Sequence, residues 1–364
     1  MKQNSGTEPC GDPNELQERL SASAEAVVWV RTLTTELRGA IRDLHEIRPQ
    51  CNVVVLFFAA LWAVGAWLIV RYGLVGAFDV RATLAEPWAW SLMWTARLAG
   101  YSAIGISLHG LVVVMHEGIH GSLCRRRGSD RWFGFFLGIP SLVSFTAYRV
   151  THLAHHRHNR TADDPDEFSN LTPNRRLLAV AFYLWIVAGT VTYFFFHVPI
   201  TAWQRGKAEE RRAVLVEYGI LLVLYACFVA VAVKFHWLPY VVHCWLIPML
   251  VAVLAGNIRG WAEHMLTIPG HPLTQSRTVT SNRVVSFLTL NLNYHLEHHL
   301  FPGIPWYNLP AVHALLQDEY RRAGSFIYRS YLVFLWDAAR EGVFGLAPKR
   351  RGGSVSPVAV SSAA

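Results

Sequence analysis

The segment His116-Glu-Gly-Ile-His120 directly follows residues 90–115, an apolar run long enough to cross a bilayer as a helix. A helix rises ~1.5 Å per residue, and the hydrocarbon core of a bilayer is ~30 Å thick. If the helix continues through the quoted segment, His116 and His120 lie on one face, because positions four residues apart are neighbours on a helix. Neutral imidazole is the commonest metal ligand in proteins. This stretch therefore predicts a membrane-spanning helix that ends in a pair of metal ligands.

The composition of the whole chain agrees with a membrane protein. Of its 364 residues, 52% are hydrophobic and only 16% are charged. A mean hydropathy of +0.25 excludes a disordered chain and a solvated globule. The formal net charge of +8 could suggest a nucleic-acid partner, but the basic residues flank the apolar runs. Membrane orientation explains that placement, and no binding of nucleic acid is expected.

Four apolar runs predict four transmembrane helices, arranged as two hairpins. The first hairpin joins residues 52–70 to 90–115, and the second joins 213–233 to 237–256. Lys and Arg together number 6, 9, 4 and 10 in the four polar segments, which are residues 1–51, 116–176, 201–212 and 257–364. The connections within the two hairpins hold 2 and 1. Because basic loops remain in the cytoplasm, the four polar segments and their histidines are predicted on the cytoplasmic side.

Two further apolar segments are not counted as spans. Residues 132–148 are short and contain Pro140, which favours a re-entrant or interfacial piece. Residues 177–200 are expected to enter and leave on one face or to lie in the interface. In the alternative, residues 177–200 cross the membrane and one of the two later apolar runs does not. That threading places four basic residues on the outer side of the membrane. The expected fold class is an all-α integral membrane protein with four transmembrane helices in two hairpins, interfacial or re-entrant helices, and a cytoplasmic histidine-rich cap.

The chain is expected to divide into three parts. Residues 1–51 form a cytoplasmic, amphipathic lead, and residues 52–342 form the membrane domain. The last part of this domain should hold two interfacial helices, one opened by Pro310 and one over residues 326–339. Residues 348–364 are of low complexity, and a disordered tail is expected over residues 343–364.

Eight of the 17 histidines fall in three short clusters, all in segments assigned to the cytoplasmic side. The second cluster is His152-Leu-Ala-His155-His156, and the third is His295-Leu-Glu-His298-His299. Eight imidazoles exceed the four ligands of one zinc ion and suit two ions with five or six ligands each. With no thiolate and little carboxylate among them, iron is the leading choice. Six other histidines are expected to be hydrogen-bonded or surface side chains: His45, His197, His236, His243, His271 and His313.

The order HEGIH, HLAHH and HLEHH beside an even number of spans resembles the membrane-bound fatty acid desaturase superfamily, with its related hydroxylases and carotenoid ketolases. The stretch NYHLEHHLFPGIPWYNLP, residues 293–310, is especially similar to bacterial members. The resemblance covers roughly residues 50–310. It implies two non-haem iron ions on the cytoplasmic side, which use O₂ to remove hydrogen from an unactivated C–H bond. It also implies a further ligand near the end of the last span, and His264 stands in that place.

Residues beside the clusters are candidates for contacts with the ligands. A carboxylate can accept a hydrogen bond from the ring N–H of a ligating histidine and fix its tautomer. The acidic candidates are Asp163, Asp164, Asp166, Glu263 and Glu297, with Glu117 equally expected at the surface. A solvated acidic loop is the alternative for residues 163–167. Asn257 and Asn293 could orient a water or a ligand, and His158 adjoins the second cluster.

This chemistry needs an outside source of electrons. The sequence has no G-x-G-x-x-G, no His-Pro-Gly-Gly and no C-x-x-C among its five cysteines. No built-in haem, flavin or iron–sulfur group is therefore expected. We expect a separate donor of the ferredoxin or cytochrome b5 type with its reductase. The other expected partners are the lipid membrane and a hydrophobic, acyl-type substrate. The Ala- and Arg-rich composition favours a bacterial cytoplasmic membrane.

Desaturation, hydroxylation and ketolation all begin with hydrogen abstraction, so the clusters alone do not separate them. We expect a double bond to be introduced into a fatty-acyl or related lipid chain. The alternative is hydroxylation or ketolation of a lipid or small hydrophobic molecule. A membrane zinc hydrolase needs only three ligands and an open position. A metal transporter would place its ligands midway along the spans. Neither of these last two classes matches nine histidines at the ends of spans.

Overall fold

The computed structural model describes residues 22–74, 86–124 and 127–346, and helices make up most of them. Five helical stretches are long and apolar enough to cross a membrane: Pro49–Leu74, Glu86–His120, Arg175–Arg205, Ala208–Lys234 and Leu238–His264. Four of them cover the four predicted spans, except that Trp237 lies one residue before the last helix, so the helical, multi-pass class is confirmed. The fifth, Arg175–Arg205, contains the run expected in the interface, and its position relative to the bilayer stays a prediction.

Two short helices form the described part of the amphipathic lead. Helix α1 is Ala24–Thr32 and helix α2 is Thr35–Asp43. Each begins at a hydroxyl side chain, Ser23 or Thr34, that accepts a hydrogen bond from a backbone N–H of the first turn. Their apolar residues, including Trp29 and Ile41, are buried against the same core as the third histidine cluster. The lead therefore packs against the core that includes Leu296 of the third histidine cluster and Leu300 directly after it.

The first hairpin brings two helices into close contact through small residues. Helix α3 is Val54–Leu68, preceded by the 3-10 turn Pro49–Val53 and continued by the π-helical turn Ile69–Leu74. Helix α4 is Glu86–His120 and ends in the first histidine cluster. A Cβ atom added at Gly100 would lie 2.7 Å from the carbonyl oxygen of Gly65 on α3. Without a side chain here the two backbones approach closely, as is typical of helix pairs in membranes.

The second histidine cluster lies on a helix that follows a sharp bend. Helix α5 is Arg127–Gly138, a 3-10 turn covers Ile139–Ser141, and helix α6 is Phe145–His158. The two parts meet at an angle of 102°. The bend includes Pro140 and falls in the segment for which we expected a re-entrant or interfacial piece. Ser144 begins α6 by accepting a hydrogen bond from the N–H of Ala147.

Three further long helical stretches follow in the chain. Helices α7 (Arg175–Thr192) and α8 (Val198–Arg205) are joined by the π-helical turn Tyr193–His197. Helix α9 is Ala208–Lys234. Helix α10 is Leu238–Val241, and through the π-helical turn Val242–Leu246 it continues into α11, Ile247–His264. Helix α11 packs closely on α4, because a Cβ atom at Gly105 would lie 2.7 Å from the carbonyl oxygen of Pro248.

The histidine-rich cap consists of short elements. In chain order they are the 3-10 turn Phe168–Leu171, the 3-10 turn Pro272–Thr274, strand β1 (Arg277–Val279), α12 (Arg283–Leu288), α13 (His295–Leu300), the 3-10 turn Trp306–Asn308, α14 (Leu309–Leu315), α15 (Gln317–Ala323), strand β2 (Phe326–Tyr328), α16 (Tyr331–Glu341) and the 3-10 turn Val343–Leu346. Proline at the start of α14 agrees with the helix predicted from Pro310.

The predicted helix over residues 326–339 begins later than expected. Residues Phe326–Tyr328 instead pair in parallel with β1, Arg277 lying opposite Phe326. Helix α16 begins after Ser330, whose hydroxyl accepts a hydrogen bond from the N–H of Val333. The turn Val343–Leu346 lies at the start of the predicted tail and buries both of its end residues. The rest of that tail lies outside the described residues.

Candidate metal centre

All nine candidate ligands lie on four helices. Helix α4 carries His116 and His120, α6 carries the second cluster, α11 ends at His264, and α13 begins at the third cluster. Eight of the nine side chains are buried, and His264 is partly buried. The structure therefore brings together, in a single interior region, residues that lie up to 183 positions apart in the sequence.

Five of these histidines form a first group around one point. Their ligand atoms lie within 4.8 Å of one another, and the members are His116, His120, His152, His156 and His298. The Nε2 atom of His152 lies 2.8 Å from Nε2 of His116 and 3.1 Å from Nε2 of His120. Across the group, Nε2 of His298 lies 3.2 Å from Nε2 of His156. Three clusters thus contribute to one position.

The other four histidines surround a second point. His155, His264 and His299 have ligand atoms within 4.8 Å of one another. The Nε2 atom of His295 completes this set, because it lies 2.7 Å from Nε2 of His264 and 3.2 Å from Nε2 of His299. The rings of His156 and His299 stack with centroids 4.1 Å apart, so the two groups are adjacent. The nine histidines therefore define two neighbouring positions that could hold a metal ion, one lined by five imidazoles and the other by four.

The geometry of both groups fits metal ions. Imidazole nitrogens that bind one ion at ~2.1 Å and at right angles lie ~3 Å apart, which matches the distances between these Nε2 atoms. The Nε2 atom of His155 is buried and has no hydrogen-bond partner in the described part of the chain. Burying polar nitrogens against one another is unfavourable unless something binds them. The donor set is nitrogen alone, which suits transition metals and not the hard cations that prefer oxygen.

The third cluster is kept in the form that binds metals. Burial, together with the neighbouring histidines, lowers the pKa of His295, His298 and His299 well below 6.5. Their imidazoles are therefore neutral near pH 7, with a lone pair available on one ring nitrogen.

The acidic loop after the second cluster supports one ligand directly. Asp164 is buried, and its Oδ1 lies 2.9 Å from Nδ1 of His155. Asp166 lies slightly farther off, with Oδ2 4.0 Å from the same Nδ1 atom, and binds Nε2 of His197 and the hydroxyl of Tyr193. Asp163 is exposed. The predicted contact between a carboxylate and a ligand thus exists for Asp164, whereas Asp163 lies in the solvated part of the loop.

Glu263 lies beside a second ligand and within a buried network. Its Oε2 atom lies 3.4 Å from Nδ1 of His295. Both oxygens also accept hydrogen bonds from the guanidinium of Arg259, at 2.9 and 2.8 Å, and the hydroxyl of Tyr331 donates to Oε1. Arg259 and Tyr331 were not predicted. The spacing of four residues on one helix could have indicated Arg259, but no local pattern indicates Tyr331.

Two other glutamates join the clusters to the cap and do not contact the ligands' ring nitrogens. Glu297 is fully buried and binds Nδ1 of His313 at 2.5 Å and the hydroxyl of Thr278. Glu117 accepts hydrogen bonds from the N–H of Trp306 and the hydroxyl of Ser122. Glu117 is buried, so the alternative of surface exposure was wrong. Glu117 thus joins the first cluster to the loop after the third, and Glu297 joins the third cluster to α14 and β1.

The polar candidates Asn257, Asn293 and His158 lie away from the ligand atoms. Asn257 joins α11 to α7 by accepting hydrogen bonds from Thr190 and donating to the carbonyl of Ile186. Asn293 binds the carbonyl of Val279 and the hydroxyl of Ser286, and thereby shapes the turn before the third cluster. His158 belongs to neither group of ligands.

The six histidines that were expected to be hydrogen-bonded or exposed are so. His197 binds Asp166, His313 binds Glu297, and Nδ1 of His243 lies 2.5 Å from the hydroxyl of Tyr101. His45 and His271 contact backbone groups, and His236 is exposed.

Two buried charged residues that sequence analysis missed hold the ends of ligand-bearing helices. Glu217 on α9 accepts hydrogen bonds from Ser144 Oγ at 2.7 Å and from the backbone N–H of Thr146 at 2.8 Å, at the start of α6. Arg277 donates to the carbonyl oxygen of Met265 at 2.5 Å, directly after His264. A cation at the end of a helix and an anion at its start both complement the helix dipole.

The architecture is that of a multi-pass helical membrane protein with two adjacent, histidine-lined positions that could hold metal ions. The comparisons with known proteins narrow this class. The family described as "Fatty acid desaturase" matches residues 88–331, which is more than half of the chain. The chain belongs to the fatty acid desaturase family and is an oxidoreductase.

Several characterised relatives are similar over most of their length. The sphingolipid delta(4)-desaturase/C4-monooxygenase DES2 of Rattus norvegicus is 26% identical over 304 residues, covering 77% of this chain and 81% of the relative. The sphingolipid delta(4)-desaturase DES1 of Xenopus tropicalis is 27% identical, with 87% and 92% covered. The sn-1 oleoyl-lipid 12-desaturase of a Picosynechococcus strain is 26% identical, with 81% and 84% covered.

Proposed function

We propose that this protein is an O₂-dependent membrane enzyme with two non-haem iron ions, which introduces a double bond into the hydrocarbon chain of a lipid. The convergence of nine histidines into groups of five and four carries the proposal. Iron ions bound there would supply the O₂-dependent oxidation of an unactivated C–H bond, which no amino-acid side chain can perform. The relatives named as desaturases of acyl lipids and sphingolipids support a lipid chain as the substrate.

The residues of the chain have separate tasks in this proposal. Helices α4, α6, α11 and α13 fix the direction of the nine imidazoles. Asp164 holds the N–H of His155, which sets the tautomer and leaves Nε2 free to bind. The contact of Glu117 with the N–H of Trp306 fixes the loop after the third cluster over the first. Because the histidines are buried at the ends of apolar helices, a lipid chain can reach them from the bilayer while water is excluded.

The reaction requires electrons from a partner. Removal of two hydrogen atoms with reduction of O₂ to two waters consumes two electrons and two protons beyond those of the substrate. We propose a separate donor of the ferredoxin or cytochrome b5 type with its reductase, because the sequence has no motif for a bound flavin, haem or iron–sulfur group.

Hydroxylation of the same kind of chain is the second candidate. The relatives whose names combine a desaturase with a C4-monooxygenase favour it, since in those proteins one name covers both reactions. Both reactions begin by removal of a hydrogen atom, so the same histidines would serve either. The position of the substrate chain would decide the product.

Lipid extracts of a host that expresses the protein distinguish these candidates. We expect the wild type to produce a lipid that lacks two hydrogen atoms and is absent from the empty-vector strain. A host with acyl lipids should be compared with the same host fed a sphingoid base, because the relatives act on both classes. A product with one added oxygen would establish the hydroxylase instead. Absence of both products, with the protein in the membrane and a donor co-expressed, would contradict the proposal.

We further propose that the protein lies in a bacterial cytoplasmic membrane, with the histidine clusters facing the cytoplasm. The excess of Lys and Arg in the four polar segments supports this orientation. A fluorescent-protein fusion directly after Lys207 should be fluorescent, and the matching alkaline phosphatase fusion should be inactive. An active phosphatase at this position would reverse the proposed threading around Arg175–Arg205.

A further inference from the structure

The two groups of histidines differ in the side chains that contact their outward Nδ1 atoms. A ligand that binds a metal through Nε2 directs its Nδ1 atom outward, where a partner can change its basicity. In the four-histidine group, Nδ1 of His155 contacts Asp164 at 2.9 Å, Nδ1 of His295 lies 3.4 Å from Glu263, and Nδ1 of His299 lies 3.4 Å from the side chain of Asn159. Three of its four outward nitrogens therefore have polar side-chain neighbours, and two of these are carboxylates.

Most of the five-histidine group lacks such support. Within residues 22–74, 86–124 and 127–346, four of its five outward nitrogens are buried without a hydrogen-bond partner: Nδ1 of His116, His120, His156 and His298. The carboxylates nearest in sequence to these histidines are turned elsewhere, since Glu117 binds the N–H of Trp306 and Glu297 binds His313. The two groups therefore differ in negative charge: carboxylates lie next to outward nitrogens of the four-histidine group, and no carboxylate among the described residues contacts these four nitrogens of the five-histidine group.

The two carboxylates, Asp164 and Glu263, do not contribute equal negative charge to the histidines they face. Glu263 is paired with the guanidinium of Arg259 through two hydrogen bonds, which offsets most of its charge. Asp164 accepts from the backbone N–H groups of Arg160 and Asp166, but His155 is the one cationic or potentially cationic side chain paired with it among the described residues. Asp166 lies farther from Nδ1 of His155, at 4.0 Å, and is paired with His197. Asp164 is therefore the main source of negative charge for the four-histidine group.

From this asymmetry we infer that the two metal positions are electronically inequivalent, and that Asp164 makes an ion at the four-histidine position the easier of the two to oxidise. A carboxylate that accepts the N–H of a ligating imidazole raises its basicity, and a more basic ligand favours the higher charge of the metal. In the change from Fe²⁺ to Fe³⁺ each ion gives up one electron, which a mediator dye accepts during a redox titration. The inference rests on the proposed iron centre and goes beyond it, because it assigns unequal roles to the two ions.

The test uses full-length protein loaded with ⁵⁷Fe and two neighbouring substitutions. Asp164→Asn keeps the size and an acceptor oxygen for His155 but removes the charge. Asp163→Asn, on the exposed neighbour, removes an equal charge without contact to a ligand. Mössbauer spectra collected during a redox titration report the oxidation of each ion separately. We expect two signals of equal area in the wild type, oxidised in two steps.

In Asp164→Asn the first of these steps should move to higher potential, with a change in the spectrum of that ion alone, while Asp163→Asn leaves both steps in place. A complementary variant, Asn159→Asp, places a carboxylate beside His299 and should move the same step to lower potential. The inference is overturned if Asp164→Asn leaves both steps unchanged or moves both equally. If Asp164→Asn does not fold, Asn159→Asp provides the test: an unchanged first step, or an equal shift of both steps, overturns the inference. Wild-type protein without bound iron would instead contradict the proposed centre itself.

Discussion

Replacing His299 with Ala is expected to abolish formation of the lipid product and to lower bound iron to half of the wild-type content or less. His299 belongs to the four-histidine group, and its ring also stacks on His156 of the neighbouring group. Loss of a residue that only supports a ligand typically costs ~10–100-fold in affinity or activity, so loss of a ligand should cost more. Product is measured in lipid extracts, and iron in the purified protein.

His158→Ala is the matched control for this substitution. His158 lies on the same helix as His155 and His156 but belongs to neither group of ligands. The control should keep its iron and at least most of its activity. Equal loss of activity in both variants would show that the two groups do not define the centre, and full activity of His299→Ala would remove His299 from the set of ligands.

Replacing Glu217 with Ala is expected to cause the largest loss of stability of any single change considered. Glu217 is a buried carboxylate on a membrane helix, a position where charged groups are rare and functional or paired. It accepts hydrogen bonds from Ser144, from the N–H of Thr146 and from the hydroxyl of Thr146. The substitution would leave these buried donors unpaired, at a cost on the order of 3 kcal/mol.

The same substitution should weaken metal binding, because α6 begins at Ser144 and carries His152, His155 and His156. Thermal unfolding in detergent and iron content measure the two effects. Glu209→Ala changes an exposed glutamate on the same helix and should alter neither. An unfolding temperature equal to that of the wild type in Glu217→Ala would show that α6 does not depend on this contact.

The local part of the centre could be predicted from the sequence, because it follows from helical spacing. Residues three or four apart share one face, so each cluster alone indicates a set of convergent imidazoles. The apolar runs likewise indicated helices of membrane-spanning length, four of which cover the predicted spans except for Trp237. A resemblance to a known family added His264, which the structure places 2.7 Å from His295.

The partition of the ligands could not be predicted, because it depends on how distant helices cross. His155 and His156 are adjacent in sequence yet belong to different groups, since neighbouring positions on a helix point about 100° apart. The same reason explains Glu297, which was a candidate partner of the ligands. It lies on the opposite side of α13 and binds His313 of α14 instead. No local pattern reveals a contact of that kind.

The roles of the two buried charged residues, Glu217 and Arg277, could not be predicted either, because they also depend on long-range contacts. Glu217 lies in an apolar run and Arg277 in a polar loop, and neither position is near a cluster in the sequence. Each becomes important only when the fold places it at the end of a ligand-bearing helix. The strand pairing of Phe326–Tyr328 with Arg277–Val279 is likewise a long-range contact, which displaced the predicted start of the last helix.

The metal content of purified full-length protein tests the central claim most directly. Elemental analysis by mass spectrometry should find about two iron ions per chain in the wild type, as nine nitrogen ligands in two groups require. The His299→Ala protein from the same preparation should hold about one or none. One zinc ion per chain with no iron, or no bound metal at all in protein that is folded and active, would contradict the account.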